Sequence, residues 1–353
     1  MSGSEQSKPR GILESKIHAI WSQTLGGGGH LARDRSIFDF GASSIDIMRF
    51  VETARRELWH DLDEALVMQF SSVEQLAAAL QRRIVGGGAT LIHFANQGSS
   101  PIVVAAPSRG TALTYLELAR DLRGCADLCG LELPGLYGER AMPDTTEQIA
   151  QGFARVLSEA RVPRELTLLG YSFGCILAFE TARLLCDEIG VDHLVLIAPP
   201  AVARAGDVEA FDGAQFWASR FEGIVDIGVA DLHGLTRTAM AQHVADRLQH
   251  VELPEQLRHF QLANAAHLLL VEELAHRLGA EYQPRMATSV PTLVIQPGAE
   301  TLGDLATVKR GWAAALPNSY WTSLPFYHRE MLASQTSRRR IAQLICSAAC
   351  GEL

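Results

Sequence analysis

The sequence predicts a small all-α domain followed by a larger α/β domain with a mostly parallel sheet and helices on both faces. Three observations indicate this. Apolar residues recur at helical spacing up to Arg82, three glycines occupy residues 86–88, and short apolar segments then alternate with helical ones. Continuous apolar strands that alternate with helices are typical of a sheet buried on both faces. A chain of 353 residues also exceeds the usual size of one hydrophobic core.

The all-α domain is expected over residues 10–85, as a bundle of three or four helices. Its first amphipathic helix is predicted from Ile12 to Leu25, its second opens at Ser44, and its third runs from Ser72 to Arg82. Glycines between two differently patterned regions are typical of flexible connections. We therefore expect a glycine-rich linker at residues 86–89, and a tight turn is the alternative.

The α/β domain is expected over residues 90–353, with strands at the continuous apolar runs. These runs are Leu91–Phe94, Ile102–Ala106, Leu128–Leu133, Leu166–Leu169, Leu194–Ile197, Thr292–Ile295 and Tyr320–Leu324. Helices are predicted between them at Tyr115–Leu122, Thr146–Ala160 and Cys175–Glu188. Residues 202–286 interrupt this alternation with a helical pattern, and inserts of this kind often form lids over binding sites.

Charge and composition exclude several classes of partner. The net charge is −9, with 31 basic and 40 acidic residues and no long basic run, so neither nucleic acid nor an anionic membrane is expected.

The chain lacks a secretory signal and any apolar run long enough to cross a bilayer, which predicts a cytoplasmic protein. Its six cysteines are then expected to be thiols. No metal site is expected, because neither closely spaced cysteine pair has further ligands at zinc spacing.

A nucleophilic serine is predicted at Ser172, where residues 170–174 read Gly-Tyr-Ser-Phe-Gly. The motif directly follows a predicted strand and precedes a predicted helix. A serine on such a sharp turn needs glycines two positions to each side, so that neighbouring chains pass close and the hydroxyl stands exposed. The N–H of Phe173, at the start of the helix, is predicted to stabilise an oxyanion.

Serine needs a base and usually an acid that orients that base. His328 follows the last predicted strand and is the predicted base, since the other histidines with strand or helix assignments precede a strand or lie in the insert. Ala198 leaves the end of strand 194–197 without a carboxylate, so we expect the acid after the next strand, at Glu300. Asp304 is the second candidate, and Asp207 or a Ser–His pair without an acid are further alternatives.

The loop after strand Ile102–Ala106 is predicted to supply the second oxyanion donor, the N–H of Ser108. Arg109, in the same loop, is a candidate for binding a substrate carboxylate or phosphate, and the alternative is a solvated surface arginine.

Residues 38–45, Phe-Asp-Phe-Gly-Ala-Ser-Ser-Ile, resemble the attachment motif of acyl and peptidyl carrier proteins, and residues 70–76 resemble the start of their third helix. This resemblance implies that Ser44 bears 4′-phosphopantetheine. A serine at a helix N-terminus suits a phosphodiester, because the free N–H groups favour negative charge. The alternative is that Ser44 only caps its helix. The mixed charge of the second helix favours a peptidyl carrier.

Residues 90–353 resemble the thioesterase domain that ends nonribosomal peptide and polyketide assembly lines, an α/β-hydrolase fold. The resemblance rests on residues 106–115, residues 133–138, the Ser172 motif and His328. It implies that the thioester on Ser44 passes to Ser172 and is released by hydrolysis or macrocyclisation, as in antibiotic and other secondary metabolism. The implied partners are upstream synthase modules or domains, a phosphopantetheinyl transferase and an acyl or peptidyl substrate. Two alternatives stay open: a catalytically weak domain that serves docking, and acyl transfer to a separate acceptor.

Overall fold

The protein is described by a computed structural model that covers residues 8–26, 31–57, 62, 67–68, 70–83, 85–86, 89–94, 98, 100–136, 141–160, 162, 165–185, 190–202, 211–253, 265–300 and 302–349. These residues form two compact units. The first unit holds the described residues up to Arg83 and those within Asp212–Glu273, together with the single residue Leu136. The second holds the described residues within Ile84–Gly135, Arg140–Phe211 and Leu274–Leu353.

The N-terminal part of the first unit is helical, as predicted. Its helices are α1 (Gly11–Thr24), α2 (Ser44–Glu57) and α3 (Val73–Arg83), and a 3₁₀ helix covers Ile37–Phe40. Their apolar faces meet in a core where the rings of Trp21 and Phe50 stack with centroids 4.0 Å apart. The buried Arg33 binds the Glu14 carboxylate at 2.8 Å, so the loop before the 3₁₀ helix is tied to α1.

Ser43 caps the N-terminus of α2. The Ser43 N–H donates to the carboxylate of Asp46 at 2.9 Å, and the Asp46 N–H donates back to the Ser43 hydroxyl at 3.3 Å. This reciprocal pattern is a capping box. The capping role that the sequence allowed for Ser44 therefore belongs to Ser43, and Ser44 is the first residue of the helix. The side chain of Ser44 lies outside the described residues.

The insert is helical where the structure describes it. Its helices are α7 (Gly213–Arg220), α8 (Val229–Leu232), α9 (Arg237–Leu248) and α10 (Ala265–Glu281), which extends into the second unit. Buried apolar side chains, among them Trp217, Phe221 and Leu269, form its core. Two buried carboxylates, Glu272 and Glu273, accept from Arg220 and Arg237 at 2.9 and 2.5 Å, because a buried charge needs a partner.

The described part of the second unit contains an eight-stranded sheet with the order β1-β2-β4-β3-β5-β6-β7-β8. The strands are β1 (Val85–Gly86), β2 (Ala89–His93), β3 (Ser100–Ala105), β4 (Ala126–Glu132), β5 (Glu165–Tyr171), β6 (Gly190–Ile197), β7 (Thr292–Pro297) and β8 (Ser319–Leu324). Strands β3 to β8 pair in parallel, and β1 and β2 pair antiparallel. The mostly parallel sheet is as predicted.

Helices accompany this sheet at α4 (Leu116–Asp121), α5 (Thr146–Glu159), α6 (Phe173–Leu185), α11 (Leu302–Trp312), α12 (Glu330–Ala333) and α13 (Gln335–Ala349). A 3₁₀ helix, Ala112–Tyr115, precedes α4. Because the strands run parallel, the residues after β3, β5, β6, β7 and β8 lie along one edge of the sheet. Nowhere in the described ranges is a helix long and apolar enough to cross a membrane.

The flexible linker predicted at residues 86–89 is wrong for the first and last residues of this segment, which belong to strands. Gly86 pairs with Ala89, and Val85 pairs with Thr90, so β1 and β2 form an antiparallel hairpin. Gly86 and Ala89 are therefore strand residues, and a glycine pattern alone does not separate this role from flexibility. Residues 87–88 lie outside the described residues.

The expectation that all six cysteines are thiols is wrong for two of them. Cys125 and Cys346 form a disulfide with their Cα atoms 6.4 Å apart, although they are 221 residues apart in the chain. Only the packing of the C-terminal helix α13 brings them together, so no local spacing indicates the pair. Cys129 and Cys175 are thiols outside this disulfide, and Cys186 and Cys350 lie outside the described residues.

Candidate active site

Ser172 stands on the sharp turn between β5 and α6 that the sequence predicts. Its φ is 56°, in the left-handed region that residues with a side chain rarely adopt. The Ser172 N–H donates to the carbonyl of Ile197 at 3.0 Å, and its own carbonyl accepts from Cys175 at 2.9 Å. These bonds hold the strained residue between β6 and the first turn of α6.

The two glycines that flank Ser172 have a steric reason. A Cβ atom at Gly170 would lie 2.2 Å from the carbonyl oxygen of Gly174, and one at Gly174 would lie 2.5 Å from that of Ala105. No side chain fits at either place without moving the main chain. The predicted need for glycine on both sides of the turn is confirmed.

The two predicted oxyanion donors follow neighbouring strands. Phe173 is the first residue of α6, where a main-chain N–H has no acceptor within the helix. Ser108 lies in the loop after β3, which pairs with β5. That loop is held by a bond from the Gly110 N–H to the Pro107 carbonyl and by another from the Leu133 N–H to the Gly110 carbonyl, both 2.8 Å long.

His328 follows β8 and lies against the residue that precedes Ser172. The hydroxyl of Tyr171 donates to the His328 carbonyl at 2.8 Å, and the two rings have centroids 5.2 Å apart. Burial lowers the pKa of His328 below its ordinary value of 6.5. The charge of Glu300 acts in the opposite direction, and that of His276 lowers this pKa further. The lowered pKa favours the neutral imidazole, which is the form that acts as a general base.

Glu300 follows β7 and contacts His328 directly. Its Oε1 accepts the main-chain N–H of His328 at 2.9 Å, and its charge favours the protonated imidazole. Ala198, after β6, is fully buried with φ 49° and offers no carboxylate. Of the other acid candidates, Asp207 and the side chain of Asp304 lie outside the described residues.

A cavity of about 440 Å³ adjoins Glu300 and His328. Its lining comprises Pro199, Pro200, Ala201, Gln296, Pro297, Glu300, Leu305, Thr307, Val308 and His328. This cavity was not predicted from the sequence, because its walls come from the segment after β6, from β7 and the residues that follow it, from α11 and from the loop after β8. Chain segments this far apart carry no local signal of a shared pocket.

Two tyrosines beside Ser172 were also not predicted from the sequence. The N–H of Tyr171 donates to the hydroxyl of Tyr115 at 2.8 Å, and that hydroxyl donates to the carbonyl of Ala105 at 2.8 Å. The position of Tyr171 directly before Ser172 is the one signal that could have pointed to it. Tyr115, 56 residues earlier, has none.

The start of α2 fits a phosphodiester-linked group. Helix starts present free N–H groups that favour negative charge, and Ser43 supplies the cap, which leaves Ser44 for attachment. Ile45 and Met48, on the same helix, are exposed. Among the described residues there is no group of His, Cys, Asp and Glu side chains that could hold a metal ion.

Comparison with known families matches residues 100–295 to the family described as Thioesterase domain and residues 15–80 to the Phosphopantetheine attachment site. The chain is 28% identical over 195 residues to indigoidine synthase of Streptomyces lavendulae, across 54% of this chain and 15% of that protein. It is 24% identical over 199 residues to bacitracin synthase 3 of Bacillus licheniformis, across 55% of this chain and 3% of that protein. The chain thus spans only a small part of the length of these relatives.

One solved structure shares the fold of nearly the whole chain. The crystal structure of holo-AB3403, a four-domain nonribosomal peptide synthetase bound to AMP and glycine, matches 98% of this chain and 26% of that one, with TM-score 0.64 and 20% identity. The phosphopantetheine attachment match indicates covalently bound 4′-phosphopantetheine. Because the thioesterase match covers more than half of the 353 residues, the chain belongs to the thioesterase domain family, with a phosphopantetheine attachment domain preceding it.

Proposed function

We propose that this chain releases an acyl or peptidyl chain from a thioester on Ser44 through an acyl-Ser172 intermediate, by hydrolysis or macrocyclisation, in natural-product biosynthesis. The observation that carries the proposal is the placement of Ser172 in a strained turn at the edge of the sheet where Glu300 and His328 follow β7 and β8. The similarity to indigoidine synthase and bacitracin synthase 3 supports the biosynthetic context.

Attachment at Ser44 agrees with the motif at residues 38–45 and with the capping of α2 by Ser43. The prosthetic group supplies a terminal thiol that holds the acyl group as a thioester. A phosphopantetheinyl transferase would load Ser44, and upstream synthase modules or domains would supply the acyl or peptidyl chain.

In the acylation step, the Ser172 hydroxyl attacks the thioester carbonyl while His328 takes its proton. The main-chain N–H groups of Ser108 and Phe173 stabilise the oxyanion of the tetrahedral intermediate. The C–S bond then breaks, the protonated His328 gives its proton to the departing sulfur, and the acyl group remains as an ester on Ser172. The lowered pKa of His328 keeps the imidazole unprotonated at the start of this step.

In the release step, His328 takes a proton from the attacking group and returns it to the Ser172 oxygen as the ester bond breaks. Water as the attacking group gives a free acid, and an amine or hydroxyl of the bound chain gives a ring. Glu300 stabilises the imidazolium that forms in both steps, since its charge already favours the protonated imidazole.

The attachment site is tested by incubating the chain with a phosphopantetheinyl transferase and coenzyme A and measuring its mass. We expect a gain of one phosphopantetheine group in the wild type and in Ser43→Ala, and no gain in Ser44→Ala. Ser43→Ala is the matched control because it removes the neighbouring hydroxyl and weakens only the helix cap. A gain that survives Ser44→Ala would place attachment elsewhere.

The nucleophile is tested with a fluorophosphonate, which labels activated serines. We expect one label on Ser172 and none in Ser172→Ala. Ala198, where an acid is usual in related enzymes, favours a second candidate, a catalytically weak domain that docks the carrier. Folded wild-type protein that stays unlabelled would support docking over catalysis.

Acyl transfer to a separate acceptor is a third candidate. Products formed from an acylated carrier with and without added amines or alcohols distinguish it. An added acceptor that appears in the product at the expense of free acid and ring would establish transfer.

A further inference from the structure

Two buried tyrosines connect three segments of the candidate site through hydrogen bonds. The Tyr115 hydroxyl donates to the Ala105 carbonyl and accepts from the Tyr171 N–H, with both bonds 2.8 Å long. The Tyr171 hydroxyl donates to the His328 carbonyl, also at 2.8 Å. The line of bonds therefore runs from the end of β3, past the residue before Ser172, to the loop after β8.

The turn that carries Ser172 is packed against the first of these tyrosines. A Cβ atom at Gly174 would lie 2.5 Å from the Ala105 carbonyl oxygen and 3.2 Å from the Tyr115 hydroxyl. Ala105 is the last residue of β3, directly before the loop that contains Ser108. A shift of Tyr115 would therefore move the Ser172 turn relative to the predicted oxyanion loop.

Tyr171, together with Glu300, holds the main chain of His328 in place. The main-chain N–H of His328 donates to Glu300, and its carbonyl accepts from Tyr171, so both polar groups of the residue's main chain are bound. The Tyr171 ring also lies against the imidazole, at 5.2 Å between centroids. With its backbone held on both sides, His328 retains mainly the freedom of its two side-chain torsions.

Both phenols keep their protons over the physiological pH range. Burial raises the pKa of Tyr115 and of Tyr171, and the nearby Arg109 only partly opposes this for Tyr171. Each hydroxyl is thus a permanent donor to its carbonyl.

We infer that Tyr115 and Tyr171 are positioning residues, which hold the Ser108 loop, the Ser172 turn and His328 in the arrangement that acylation of Ser172 requires. This inference rests on the proposed function of Ser172 and His328.

The test compares Tyr171→Phe with Tyr327→Phe by the rate of fluorophosphonate labelling of Ser172 as a function of pH. Tyr171→Phe removes one hydroxyl and keeps the ring against the imidazole. Tyr327→Phe is the matched control, since it removes a hydroxyl from an exposed tyrosine directly before His328. Both variants keep the charged groups that shift the pKa values at the site. These are Glu300 and His276, which shift the pKa of His328, and Arg109, which shifts that of Tyr171.

We expect Tyr171→Phe to lower the labelling rate about tenfold, because the imidazole of a His328 loop that is no longer held is misplaced relative to the Ser172 hydroxyl. We also expect its acid-side midpoint to rise towards 6.5, because a freed His328 loop admits water to the imidazole and relieves the burial that lowers its pKa. Tyr327→Phe should keep both the rate and the midpoint.

An unchanged labelling rate in Tyr171→Phe would overturn the inference while leaving the proposed function intact. So would a lower rate with an unchanged midpoint and a lower melting temperature, which would indicate a structural role alone. An unlabelled wild type would instead remove the proposed function, and the inference with it.

Tyr115→Phe is a second, independent variant should Tyr171→Phe fail to fold. It removes the bond to the Ala105 carbonyl and the bond from the Tyr171 N–H, and it leaves the bond from the Tyr171 hydroxyl to the His328 carbonyl in place. We expect slower labelling with an unchanged midpoint, since this variant moves the serine turn and not the His328 loop. Labelling at the wild-type rate would contradict a positioning role for Tyr115.

Discussion

The carboxylate of Glu300 accepts a hydrogen bond from the main-chain N–H of His328, with 2.9 Å between Oε1 and N. The contact joins the end of β7 to the loop after β8, two strands that pair along their whole length. Ala198, at the end of β6, has no carboxylate to compete for this place. Glu300 can therefore have two separate roles: it holds the main chain of His328 through this hydrogen bond, and its charge stabilises the protonated imidazole.

Glu300→Gln separates these two roles. Glutamine keeps an oxygen that can accept the His328 N–H, but it lacks the charge that stabilises the imidazolium. We expect turnover of an acylated carrier to fall by up to about 10⁴-fold with an unchanged melting temperature. Glu330→Gln is the matched control, because Glu330 accepts the main-chain N–H of Tyr327 at 2.9 Å in the same loop. Nearly unchanged turnover in Glu300→Gln would direct attention to Asp304 and Asp207.

The pH dependence of Ser172 labelling should respond in opposite directions to two neighbours of His328. The rate follows the neutral imidazole and so falls as pH drops through the pKa of His328, which lies below 6.5. Glu300→Gln removes the charge that raises this pKa, so its midpoint should move to lower pH. His276→Gln removes a charge that lowers it, so its midpoint should move to higher pH. Shifts in the same direction would exclude this electrostatic arrangement.

The lowered pKa of His328 also affects stability. The unfolded chain binds this proton more readily than the folded chain, so the free energy of unfolding should be fully retained above pH 6.5. It should decrease as pH falls from there through the lower pKa of the folded state. Chemical denaturation across this range measures the decrease, and His328→Gln should remove this contribution.

Two glycine substitutions near the turn should have opposite effects. Gly174→Ala places a Cβ atom 2.5 Å from the Ala105 carbonyl oxygen, so we expect a loss of about 3 kcal/mol in unfolding free energy and no labelling of Ser172. At Gly279, in α10, the added Cβ would meet only the Phe173 ring at 3.6 Å. Gly279→Ala should therefore stabilise the chain by up to about 1 kcal/mol and keep labelling. Equal melting temperatures for the two variants would contradict this packing.

The strain at Ser172 predicts a stability difference between two variants that both lack the nucleophile. With φ at 56°, alanine keeps the strain of the left-handed region and glycine relieves it. Ser172→Gly should unfold with a free energy about 1 kcal/mol higher than that of Ser172→Ala. Thermal or chemical denaturation measures the difference, and a less stable glycine variant would show that the turn is not strained.

Much of this chain could be predicted from local patterns. The order of helices and strands follows from the period of apolar residues, and the predicted strand at Leu194–Ile197 falls within β6 (Gly190–Ile197). The Gly-Tyr-Ser-Phe-Gly motif predicts the turn at Ser172, because the close approach of Gly170 to the Gly174 carbonyl occurs within one short segment. The 3₁₀ helix Ala112–Tyr115 and the hairpin at Gly86 were not predicted, since their short segments have no distinct period.

From local patterns alone the sequence predicts a helical N-terminal region, a mostly parallel sheet, and which residue types stand at the ends of its strands. Which of these residues come into contact depends on how the strands and helices pack. His328 donates to Glu300 and accepts from Tyr171, and these two bonds and the Cys125–Cys346 disulfide join residues from 28 to 221 positions apart. The physical reason is that periodicity reports what each segment buries, whereas a contact between distant segments depends on strand order and register, which the packed sheet alone establishes.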